Sequence, residues 1–146
     1  IVRTDLIFRP WSEILKHVLE TCNPEFPLKV KPGDIVVAGK HFGQSSGRAI
    51  AAKALKQTGI GCVVAESCAR TFYRNGFEIG MPVLECPVIT AQVSDGDILS
   101  VDIESGKIVN ETTGREHQAR PTPAFLLDML KAGGLIAMAE RLAAEG

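Results

Sequence analysis

Apolar residues come in short runs along this chain, and their spacing separates several kinds of segment. Ile1-Val2-Arg3-Thr4-Asp5-Leu6-Ile7 predicts a strand entered without the turn or cap that usually precedes one, so the N-terminus is expected to be incomplete. From Trp11 to Thr21, residues Ile14, Leu15, Val18 and Leu19 fall on one helical stripe, with Pro10 and Ser12 as its start signals. Asn23-Pro24 and Lys31-Pro32-Gly33 are turn chemistry around a short extended segment, and Asp34-Ile35-Val36-Val37-Ala38 reads as a buried strand.

The middle of the chain alternates strands and helices. Gly39 to Gly47 is a loop rich in glycine and serine, and Arg48 to Thr58 is an amphipathic helix ending at Gly59. Gly61 to Ala65 is a strand, Ser67 is placed to cap a helix from Cys68 to Gly76, and Met81 to Cys86 is another strand. This β-α-β-α-β order implies parallel pairing.

Beyond Pro87 the period changes to two. Leu99, Val101 and Ile103 share one face, Ser105-Gly106 turns the chain, and Lys107 to Asn110 returns as a hairpin. Glu116 to Ala119 adds a short strand, Thr122-Pro123 opens a helix to Lys131, and Gly133-Gly134 separates it from a last helix, Leu135 to Ala144. The expected fold is an α/β domain spanning residues 1–146, with a parallel α/β core and an antiparallel β layer.

Length and charge narrow the function. At 146 residues, 45% hydrophobic and 23% charged, the chain suits one domain with one core. Its net charge of -1 leaves no electrostatic footprint for nucleic acid or an anionic membrane. With no apolar run approaching a membrane span, a soluble cytoplasmic protein is expected. Cys22, Cys62, Cys68 and Cys86 lack the spacing of a ligand cluster, so no metal site is expected on this chain. Cys62 and Cys86 sit in apolar runs and read as buried thiols.

His41-Phe42-Gly43-Gln44-Ser45-Ser46-Gly47-Arg48 stands out chemically. It delivers two hydroxyls and an arginine to the mouth of a helix, where free N–H groups favour a carboxylate or a phosphate. On composition alone, Ser46 reads equally as an N-cap and Arg48 as a solvated first-turn residue. The loop lacks the lysine pattern of a phosphate-binding P-loop. Arg9 and His41 are more simply solvated loop residues, Arg70 and Arg74 a surface pair, and Phe72 and Tyr73 packing residues.

The segments Lys31 to Lys40, Ala65 to Gly76 and Gly80 to Pro87, together with this loop, resemble the small subunits of isopropylmalate isomerase, within the aconitase superfamily. The likeness continues through Gly96-Asp97, Thr113-Gly114 and the helix from Pro123 to Gly134. It implies the swivelling β/β/α three-layer domain, packed against a large subunit that holds a 4Fe-4S cluster. It also implies an iron-sulfur hydro-lyase of leucine biosynthesis acting on a branched hydroxy-dicarboxylate, with isopropylmalate as the leading substrate. Against the family's usual Cys-Gly-Ser-Ser-Arg-Glu-His-Ala, this chain has Gln44-Ser45-Ser46-Gly47-Arg48-Ala49-Ile50-Ala51, which puts Ser46 on the serine base and Arg48 on the substrate arginine. Ser45, Gly47, Gln44 and the pair Thr4-Asp5 are expected around the substrate. Gly47 stands for the second serine, Gln44 for the cysteine and Ala49-Ile50 for the Glu-His pair. These departures admit a dehydratase of the dimethylmalate type, or a non-catalytic assembly domain, as rivals.

Overall fold

Three β-branched or small apolar residues in succession favour extended structure, and the chain uses such runs to build its centre. The computed structural model describes residues 1–44 and 47–146; Ser45 and Ser46 lie outside the described residues. In chain order the elements are α1 (Trp11–Ile14), α2 (Phe26–Lys29), β1 (Ile35–Ala38), α3 (Ile50–Gln57), β2 (Cys62–Ala65), α4 (Arg70–Glu78) and β3 (Val83–Glu85). They are followed by β4 (Leu99–Val101), β5 (Lys107–Asn110), β6 (Arg115–Gln118), α5 (Ala124–Ala132) and α6 (Leu135–Glu145).

Strands β1, β2 and β3 form a parallel sheet in that order, with Val36 opposite Val63 and Val63 opposite Val83. Strands β4, β5 and β6 form a separate antiparallel sheet. Alternation sorts the residues of β2 between two cores. Val63 and Ala65 pack with Leu55, Phe72 and Phe77 on the helical side, whereas Cys62 and Val64 pack with Leu84, Ile89 and Ile108 on the side of the antiparallel sheet. The result is the expected order of layers: helices, parallel sheet, antiparallel sheet.

Four sequence expectations need correction. Residues 1–7 form no strand: Thr4–Leu6 is a 3-10 turn, Arg3 grips Asp5, and the Ile1 carbonyl accepts from the Leu19 N–H at 2.9 Å. The helix expected from Trp11 to Thr21 is α-helical only to Ile14 and tightens to 3-10 over Leu15–His17. It stops because Val18 is extended and fully buried, and Leu19 takes a left-handed backbone (φ 58°). The segment after Asn23-Pro24 is the helical turn α2, with Pro27 preset in its first turn and Lys29 paired to Glu25 at 2.5 Å. Ser67 caps no helix, since α4 starts at Arg70 and the Ser67 hydroxyl is used elsewhere.

Helix α4 packs against β3 and against the loop after β1. It buries Phe72, Asn75, Gly76 and Phe77. A Cβ added at Gly76 would lie 2.5 Å from Val83 Cγ2 and 3.1 Å from the Met81 carbonyl oxygen. An alanine in place of a mid-helix glycine ordinarily stabilises by up to about 1 kcal/mol, but this crowding reverses the sign. Gly76→Ala should cost about 1–3 kcal/mol and lower the melting temperature. A thermal melt followed by circular dichroism checks this, and a melting temperature at or above wild type would contradict it.

Candidate active site

Parallel strands carry their following loops at one end of the sheet, so the loop from β1 to α3 sits beside the corner from β2 to α4. Backbone bonds join the two. The Phe42 N–H donates to the Ser67 carbonyl at 3.0 Å and the Ala69 N–H donates to the Phe42 carbonyl at 2.8 Å. The His41 N–H donates to Ser67 Oγ at 2.9 Å, and Phe42 makes a parallel bridge with Cys68.

Packing then presses the loop onto α4. The Phe42 and Phe72 rings meet edge to face with centroids 5.1 Å apart. Gly43 has φ +80°, and a Cβ there would fall 2.3 Å from Phe72 Cγ, so the position has room for glycine alone. On the far side of the two undescribed serines, the Asn75 side-chain amide donates to the Gly47 carbonyl at 3.4 Å. Asn75 is 7% exposed.

The corner is polar as well. Glu85 Oε1 accepts from the Cys68 N–H at 2.8 Å, while Oε2 lies 3.3 Å from Arg120 Nη1. The Thr90 hydroxyl donates to Glu66. Burial, and secondarily the Glu85 charge, pushes the Cys68 thiol up to about 12. Burial, with Glu85 and Cys68, also raises the Tyr73 phenol.

Of the residues expected around a substrate, Arg48 and Thr4 come together. They line one cavity of about 90 Å³ with Gly43, and the remaining walls are aliphatic: Ile1, Val2, Ile7, Ile50 and Ala51. Arg48 is exposed and precedes α3 by two residues rather than beginning it. Asp5 does not line this cavity; Arg3 holds it through Nε at 3.1 Å and Nη2 at 2.7 Å, which keeps its carboxyl below the usual carboxylate range. Gln44 is exposed and its N–H closes a turn onto the His41 carbonyl at 3.2 Å. Gly47 is exposed, with a Cβ at that position meeting Thr71 Cγ2 at an ordinary 3.6 Å. The expectations for Ser45 and Ser46 lie outside the described residues. Arg9 and His41 are exposed, and Arg74 pairs with Glu78 at 3.7 Å. A larger groove of about 820 Å³ runs along β1 and the segment from Thr90 to Leu99; Phe42 lines it, whereas Thr4, Asp5, Gln44, Gly47 and Arg48 do not.

Sequence reasoning missed Asn75 and Glu85 and read Ser67 as a helix cap, whereas all three tie the loop and its corner. A signal existed for one of them: Asn75 occupies the buried stripe of α4, where an apolar residue belongs. Ser67 and Glu85 carry no such mark, because their partners lie 26 and 17 residues away in the chain.

The fold is a three-layer α/β domain whose β1 loop sets an arginine beside an aliphatic cavity, and comparison with known proteins gives its class. The family described as Aconitase C-terminal domain matches residues 14–88. The 3-isopropylmalate dehydratase small subunit of Thermodesulfovibrio yellowstonii is 45% identical over 125 residues, covering 86% of this chain and 74% of that one. The isopropylmalate/citramalate isomerase small subunit of Methanocaldococcus jannaschii is 44% identical over 140 residues, covering 96% and 83%. A crystal structure of 3-isopropylmalate dehydratase from Methanocaldococcus jannaschii superposes with a TM-score of 0.90 at 30% identity, over 100% of this chain and 89% of that one. The chain belongs to the aconitase C-terminal domain family, in the branch of the 3-isopropylmalate dehydratase small subunits.

This chain's own thiols do not fit an iron-sulfur cluster, which takes convergent thiolates. Cys62 and Cys86 are buried in the apolar core, Cys22 is exposed, and burial pushes the Cys62 thiol up to about 12. Among the described residues, no three His, Cys, Asp or Glu side chains group so as to hold a metal ion, and no helix is long and apolar enough to cross a membrane. At pH 7.5 an alkylating reagent should modify Cys22 first and leave Cys62, Cys68 and Cys86 largely unreacted, as read by peptide mass spectrometry. Alkylation of Cys68 at the rate of Cys22 would contradict the shielding described.

Proposed function

We propose that this chain is the small subunit of a 4Fe-4S hydro-lyase that dehydrates a branched hydroxy-dicarboxylate, isopropylmalate being the leading substrate. The observation that carries the reading is the pairing of Arg48 and Thr4 with aliphatic walls in one cavity. A carboxylate beside a branched alkyl group has the matching chemistry. The names of the relatives favour this reading over a dimethylmalate-type dehydratase and over a non-catalytic assembly domain.

Arg48 grips a substrate carboxylate with both guanidinium arms, a planar contact that also orients the adjoining carbon. Ser46 takes the proton from that carbon. A serine hydroxyl is a very weak acid, so this role needs anion-stabilising groups around it. The N–H groups of the loop and the Arg48 guanidinium are the candidates on this chain. Thr4, Gln44, Ser45 and Gly47 border the substrate, and Asp5 acts through Arg3 at the rim. A cluster held by a large partner subunit would supply the Lewis acidity for loss of the substrate hydroxyl; the described residues of this chain group no metal ligands. The protein works as a heteromer of those two subunits, in the cytoplasm.

Co-expression with a large subunit of 3-isopropylmalate dehydratase, followed by assay on several hydroxy-dicarboxylates, tests the reading. The complex should turn over isopropylmalate, and the purified small subunit alone should be inactive and hold no stoichiometric iron or sulfide. Ser46→Ala should abolish turnover with association intact, Ser45→Ala giving the smaller loss. A larger loss from Ser45→Ala would move the base by one residue.

Arg48→Lys separates a bidentate contact from a bare charge. Losing the planar fork forfeits part of a charge-assisted bond, on the order of 1.5–3 kcal/mol. That corresponds to a fall in kcat/KM of about ten- to a hundredfold with an unchanged melting temperature. Wild-type kcat/KM in Arg48→Lys would remove the carboxylate-gripping role.

A further inference from the structure

We infer that Asn75 is a positioning residue that sets the direction of Arg48 by holding the peptide immediately before it, an inference that rests on the carboxylate-binding role proposed for Arg48. Asn75 lies on the buried face of α4 among Phe72, Gly76 and Phe77. A primary amide there is costly unless hydrogen-bonded. Its Nδ2 donates to the carbonyl of Gly47, which belongs to the Gly47–Arg48 peptide. The direction of that carbonyl fixes the plane from which the Arg48 backbone departs.

The two flanks of the loop are held differently. At Gly43 the Phe72 ring closes on the backbone so tightly that no Cβ fits, and packing alone fixes the chain. At Gly47 a Cβ would meet Thr71 Cγ2 at an ordinary 3.6 Å, so among the described residues no side chain closes on this backbone as Phe72 does on Gly43. Arg48 itself is exposed, and core burial does not orient it. The Asn75 bond reaches this flank from the interior, on the carbonyl of the peptide that leads into Arg48. Helix α4 thus grips both ends of the loop, by shape at Phe72 and by a hydrogen bond at Asn75.

Asn75→Asp provides the test, because aspartate keeps the shape but, when ionised, offers no donor and repels the Gly47 carbonyl. In the reconstituted complex at pH 8, kcat/KM should fall about tenfold or more, chiefly through KM, as expected when a buried hydrogen bond is lost. Burial raises a carboxyl pKa, and below that value the protonated acid can donate. The activity ratio of variant to wild type should accordingly recover as pH falls. A packing role alone predicts a wild-type ratio, or a loss that does not vary with pH, and either result overturns the inference.

Amide exchange on the isolated chain at pH 8 gives a readout without partner or turnover. The segment 43–51 should exchange faster in Asn75→Asp while α4 keeps its protection; unchanged exchange in that segment overturns the proposal. Should Asn75→Asp fail to fold, Asn75→Ala removes the donor without adding charge, and the same exchange measurement decides. A wild-type complex inactive on every hydroxy-dicarboxylate would sink the proposed function, whereas the exchange result would still decide whether Asn75 holds the loop.

Discussion

Strand β2 is buried on both faces along its whole length, and the remaining elements take their places from that requirement. Each of its valines contributes about 1.5–3 kcal/mol when fully buried, and neither face can be left to water. Helices α3 and α4 cover one face, where Leu55, Phe72 and Phe77 complete a core with Val63 and Ala65. The antiparallel sheet covers the other, bringing Ile108 against Val64 and Cys62. Parallel strands joined by helices must cross over with one hand, so the β1 and β2 loops emerge side by side at the carboxyl end of the sheet. The site follows from that adjacency.

Backbone strain collects at the same end. His41 follows β1 and Val88 follows β3, and both hold left-handed φ values, 58° and 59°. A non-glycine residue pays roughly 1–2 kcal/mol there, and a β-branched valine is an outlier. Local bonds keep these corners in place: the His41 N–H on Ser67 Oγ, and the Ala91 N–H on the Val88 carbonyl at 3.1 Å. Such strain survives only where the surroundings over-determine the backbone. Here the surroundings are the tied corner of β2 and α4.

The chain divides its chemistry unevenly between core and rim. Cys62 and Cys86 are buried and Cys68 is partly covered, while the candidate carboxylate-binding arginine is exposed at the mouth of a small aliphatic cavity. An arginine needs a dry, shaped surrounding to bind one carboxylate selectively. This chain supplies the anchored loop and the aliphatic wall, and a second protein surface over the open side would complete the enclosure.

Much of this was legible in the residues alone. The runs Ile35-Val36-Val37-Ala38 and Cys62-Val63-Val64-Ala65 determined two parallel strands, the alternation of Leu99, Val101 and Ile103 determined the hairpin, and the Gly133-Gly134 pair marked the break between α5 and α6. These are local signals: side-chain period, β-branching and glycine act over a few residues, so a sequence window contains their cause. The order of chemical groups in the loop after β1 was legible for the same reason. What only the tertiary structure decided are the features whose cause lies far along the chain. Residues 1–7 have strand composition, yet Ile1 bonds Leu19 and the segment turns. The helical stripe from Ile14 to Leu19 breaks because Val18 reaches the core in an extended conformation. Ser67 looks like a cap but is taken by His41, and Asn75 looks misplaced in its helix until Gly47 arrives beside it. Hydrogen bonds are satisfied wherever folding brings a donor to an acceptor, and no spacing rule along a single chain encodes that meeting.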